Sequence, residues 1–126
     1  MAELGAEIDL VVSLNLLSQL GVLPVEWIER RWGAGFAETA HRFAAALTRS
    51  HLEDLARCRA TVCLVADVEW QHVAADGRIV EQASSIYDVP PPRADEEWLW
   101  PIAPAPESDP VLSERRRVIV AYDPGK

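Results

Sequence analysis

The chain has 126 residues, 49% of them apolar, and a formal net charge of −8. That length suits a single domain spanning 1–126 with a modest core, and the apolar content excludes wholesale disorder. An acidic chain is a poor general ligand for nucleic acid, because phosphate neutralisation by Lys and Arg supplies most of that affinity, so direct duplex DNA binding is not expected.

No apolar run reaches the roughly 18 residues of a membrane-spanning helix, and Glu3, Glu7 and Asp9 stand where a secretory signal would be basic. The expected location is cytoplasmic, with no membrane contact. Lys126 is the sole lysine. Arginine carries the rest of the positive charge, which with the abundant Ala and Val suits a high-GC bacterial or phage coding sequence. Cys58 and Cys63 are the only cysteines. They read as small core hydrophobes, since a zinc site wants a tighter knuckle and further ligands.

In chain order, residues 4–20 are expected to form a helix central to the core, with Ile8, Val11, Val12, Leu16 and Leu20 at helical spacing. Gly21 fits its stop, and Pro24 fits the first turn of a second helix over 24–32. After Gly33 and Gly35 a third helix is expected over 36–58, burying Phe36, Ala40, Phe43 and Leu47, with Glu38 and Arg42 paired outside. Ser50 and Glu53 resemble a capping box, so this helix is either continuous or restarts at His51.

The period then changes from 3.6 to 2. Residues 61–74 and 79–89 are expected to form an antiparallel hairpin around Asp76-Gly77, a pair suited to a type I′ turn. Counting outward places His72 opposite Glu81, Trp70 opposite Ala83 and Val68 opposite Ser85. Val62, Leu64, Val68 and Trp70 should face the helices, and Asp67, Glu69 and Gln71 solvent. Residues 90–110, with seven prolines among acids, read as an extended surface loop, because proline lacks the amide donor. A last strand is expected over 117–122. The fold class is therefore α+β, with N-terminal helices on a small antiparallel sheet.

Candidate chemistry is thin. Leu17 to Val22 has the spacing of a helix-turn-helix turn, but the following helix would present Glu26 and Glu29 to DNA, and an α-helical hairpin accounts for it better. Gly33 and Gly35 lack the preceding strand and later residues of a phosphate loop. Asp67 and Glu69 share a strand face without the lysine that acid-rich nuclease sites use. His41 and His51 lie near opposite faces of an ideal helix. His72 and Glu81 make a base and an orienting carboxylate without a nucleophile, best read as a cross-strand pair. No metal or cofactor is expected.

The aromatic segment remains. Trp98 and Trp100 stand in Asp95-Glu96-Glu97-Trp98-Leu99-Trp100-Pro101, either as a lid on the core or as anchors for a protein partner, with Glu96 and Glu97 steering. The favoured expectation is a non-enzymatic protein-binding accessory factor or inhibitor, one version being an acidic inhibitor of a nucleic-acid-handling enzyme. A transcriptional regulator and a small enzyme subunit using His72 and Glu81 are the alternatives, and homo-oligomerisation stays open.

Overall fold

A computed structural model describes residues 7–107 and 109–126. Strand β1 (Leu10–Leu14) leads into helix α1 (Val22–Trp32), one 3₁₀ turn (Ala34–Phe36) and helix α2 (Ala37–Arg57). Four strands follow: β2 (Thr61–Val73), β3 (Ile79–Ser84), β4 (Glu96–Ala103) and β5 (Ser113–Tyr122). The sheet runs β1-β2-β5-β4, and β3 pairs with the second half of β2 on the same edge that β1 occupies along its first half.

The first helix expected from the sequence is not a helix. Over its described residues, 10–14 form a strand parallel to β2, with Leu10 beside Thr61 and Leu14 beside Val65. Residues 4–6 of that expectation lie outside the described residues. Seven of the ten positions from Ile8 to Leu17 are apolar, enough that the run satisfies a helical and a strand period alike. The paired helices α1 and α2 form the crossover that a parallel strand pair requires. The sheet is consequently mixed, not purely antiparallel. Asn15 ends β1 at φ 53°, a left-handed conformation that asparagine tolerates.

α2 is continuous through Ser50 and Glu53, and no cap interrupts it. Its buried stripe is Ala40, Ala44, Ala45, Thr48 and Leu55, whereas Phe36 and Phe43 point outward. Small residues line the inner face because neighbouring backbone comes close. A Cβ on Gly21 would lie 2.5 Å from Ala44 Cβ and 2.6 Å from the Tyr87 ring, so only glycine fits there.

The core lies between α2 and one sheet face. Val62, Leu64 and Ala66 of β2 and Ile119 and Ala121 of β5 pack with Leu17, Leu55 and Ile86. The hairpin register agrees with the count from the turn: His72 pairs with Glu81 and Trp70 with Ala83. The turn itself differs. Gly77 alone takes positive φ (87°), Gly77 N–H donates to Ala74 O, and Ala74 N–H donates to Arg78 O. This is the three-residue connection closed by a left-handed glycine, and a compensating irregularity at Val73 restores the register.

The expected faces of β2 hold only as far as Ala66. A bulge between Asp67 and Glu69 inserts Val68 against β5. Val68 is buried as expected, but Asp67 and Gln71 are buried too and Trp70 is half-buried. β3 ends at Ser84, whose hydroxyl accepts from Ile86 and Asp88 N–H as the chain turns. The proline-rich segment contains β4, with Pro101 inside it. β4 is an edge strand, where a missing N–H costs no ladder bond. β5 begins four residues earlier than expected and sits between β2 and β4.

Candidate protein interface

The alternation that sends Val62, Leu64, Ile119 and Ala121 toward α2 sends their neighbours to the other side of the sheet. There Val12 lies beside Cys63, Leu14 beside Val65, Val65 beside Val120, and Val118 beside Trp98. This second face is also apolar, and among the described residues no helix covers it. Leu14, Val12 and Tyr122 are more than half exposed. Trp98 and Trp100 flank Val118 in a shallow groove of about 350 Å³ that Leu14, Asn15 and Val65 complete. The two indoles remain 46% and 44% exposed although Val118 beneath them is buried.

The acids beside them differ. Glu97 accepts from Arg117 at 3.3 Å, while Glu96 stands opposite Val120 and is exposed. Asp95 anchors the start of the strand by accepting from Tyr122 N–H at 2.8 Å. Thus β4 presents two half-exposed tryptophans and Glu96 from a fixed backbone, not from a loose loop.

A second apolar surface lies on the helical layer. Leu23, Trp27, Ile28, Trp32 and Phe43 line a groove of about 560 Å³ between α1 and α2, with Pro24 as its remaining wall. Trp27 and Trp32 meet edge to face at 5.1 Å, and the Arg31 guanidinium lies 5.9 Å from the Trp32 ring centre. α1 has no buried residue at all. The sequence offered a signal in its bulky residues, but placed Phe36 and Phe43 inside.

Most of the remaining polar groups are accounted for locally, although Arg116 Nε is buried without a hydrogen-bond partner among the described residues. His72 Nδ1 lies 3.3 Å from Glu81, as the register requires, with Glu114 3.8 Å from the other ring nitrogen. Arg116 donates to Asp67 at 3.1 Å and to Glu114 at 3.3 Å, and Ser18 donates a short hydrogen bond to Asp67. These contacts tie β2, β5 and the turn after β1 together across the bulge. His41 lies 3.2 Å from Asp88. Asp123 is held below the usual carboxylate range, chiefly by Val62 N–H and also by Lys126.

One pair went unforeseen: Ser13 Oγ and His51 Nε2 are 2.9 Å apart, joining β1 to α2. A serine beside an imidazole has the parts of a nucleophile and its base. Ser13 is 4% exposed beneath α2, so a substrate carbonyl has no approach to it. Burial lowers the His51 pKa, with the charge of Asp54 opposing. The pair reads as a buried tie between layers.

Among the described residues no three His, Cys, Asp or Glu side chains are grouped to hold a metal ion, and no helix is long and apolar enough to cross a membrane. No family model, no curated protein and no solved structure matches the chain.

Proposed function

We propose that the protein is a non-enzymatic binding protein, an accessory factor or inhibitor that works through the uncovered sheet face and its edge strand β4. The observation that carries this reading is the pair Trp98 and Trp100, held on an ordered strand and left about half exposed. Leu14 and Val65 lie in the same groove. Contiguous exposed apolar surface of this kind is uncommon on monomers and marks contact sites. Tryptophan anchors with a polar rim are the usual source of interface energy.

Glu96 supplies an acidic edge beside the indoles, which would speed association with a basic partner in a salt-sensitive way, while Glu97 is engaged by Arg117. The helix-turn-helix alternative loses ground, since the residues before its turn belong to β1. The enzyme-subunit alternative rests on His72 and Glu81, which sit on the hairpin with Glu81, Glu114 and the Trp70 indole about the ring and no nucleophile among them.

The test is a partner-affinity measurement on W98A/W100A. A partner recovered by cross-linking to the intact protein should bind the folded double variant at least 30-fold more weakly, the loss expected of aromatic anchors. Unchanged affinity in a folded double variant rejects the reading.

A further inference from the structure

The uncovered surfaces are two, and they are unlike. The groove on the helical hairpin is wholly apolar and flanked by Arg30 and Arg31, neither of which has an ion-pair partner among the described residues. On a helical wheel both arginines lie beside Leu23 and Trp27. On β4, Glu96 shares a strand face with Trp98 and Trp100, while Glu97 turns to the other face and pairs with Arg117. One surface is a groove with a basic border, and the other a pair of half-exposed tryptophans with an acid beside them. Within one chain they cannot meet, because α1 packs along α2 and β4 along β5.

We infer that the partner of the β4 ribbon is a second copy of this chain, docked head to tail. Trp98 and Trp100 of one copy dock against the groove beside Trp27 and Trp32 of the next, and Glu96 meets Arg30 and Arg31. Because the two surfaces differ, the contact is heterologous, and the assembly keeps one free surface of each kind, one at each end. Such contacts propagate into rings or filaments instead of stopping at a two-fold dimer. The inference rests on the reading of β4 as an interface and names its occupant.

Sedimentation velocity of the full chain between about 1 and 200 µM tests it. The wild type should form species larger than a dimer as concentration rises, and added salt should weaken them. W27A/W32A and W98A/W100A should each stay monomeric alone. Mixed in equal amounts they should give a 1:1 dimer that grows no further, since each retains the surface the other lacks. R30E/R31E, which reverses the basic border and removes the Arg31 contact with Trp32, should weaken self-association at least 10-fold while leaving the circular dichroism spectrum unchanged.

A wild type that is monomeric throughout overturns the inference. So does self-association surviving in either tryptophan variant, or a mixture that does not pair. A monomeric wild type that still binds a different protein through Trp98 and Trp100 overturns this inference alone. Failure of the folded W98A/W100A to change any interaction overturns the interface reading with it.

Discussion

The two faces of the central sheet carry nearly the same residue types and meet different fates. On one, Val62, Leu64, Ile119 and Ala121 disappear under α2, Leu17 and Ile86. On the other, Leu14, Val65 and Val118 share a shallow groove with Asn15 and the indoles of β4, and Val12 is more than half exposed. Apolar alternation decides that a residue leaves the plane of the sheet, but not whether anything waits there. One helical hairpin can cover one face. The other has no helix over it among the described residues.

Substitutions at adjacent positions of β2 sharpen that contrast. Leu64 is fully buried, so Leu64→Ala should cost about 3 kcal/mol, the middle of the range for emptying a well-packed site. Val65, one residue along and on the open face, should cost about 1 kcal/mol or less on the same change. Equal losses in denaturant melts would mean that both faces are core.

The contrast depends on where the alternation slips, and Asp67 marks that place. Asp67→Ala removes the acceptor of Ser18 and of Arg116 and leaves a half-buried guanidinium short of a partner. A loss of about 2 kcal/mol is expected, below that for a fully buried pair because Arg116 keeps Glu114. A neutral outcome would show that the bulge is set by backbone alone.

The smallest effect belongs to the covered side. His51 has a pKa depressed by burial, so the fold holds it neutral and the unfolded chain takes up the proton first. Stability should therefore be complete above about pH 6.5 and decline as pH falls below it. His51→Gln should flatten that slope in melting temperatures recorded from pH 8 to pH 5. An unchanged slope would assign the acid sensitivity elsewhere.

Legibility in the sequence followed the same division. The hairpin was readable because Asp76-Gly77 fixes a turn and counting outward pairs His72 with Glu81, even though the turn takes a different geometry. Trp98 and Trp100 announced themselves by alternation, yet the strand that carries them did not, since Pro101 is acceptable only on an edge that sequence does not identify. β1 was hidden by dense apolarity. Asp67 and Gln71 were hidden by a bulge, which leaves no local mark. Phe36 and Phe43 were placed inward because size usually decides burial, whereas here the approach of Gly21 to Ala44 demands small residues on the inner face of α2.

The central claim is that the tryptophan face serves contact and is not part of the chain's own core. Its most direct test is the melting temperature of W98A/W100A beside the wild type, at concentrations dilute enough that both sediment as monomers. A contact face predicts a fall of about 5 °C or less, since the indoles are already half in water. A fall of about 15 °C or more, the scale of losing two buried aromatics, would contradict it and make β4 a lid.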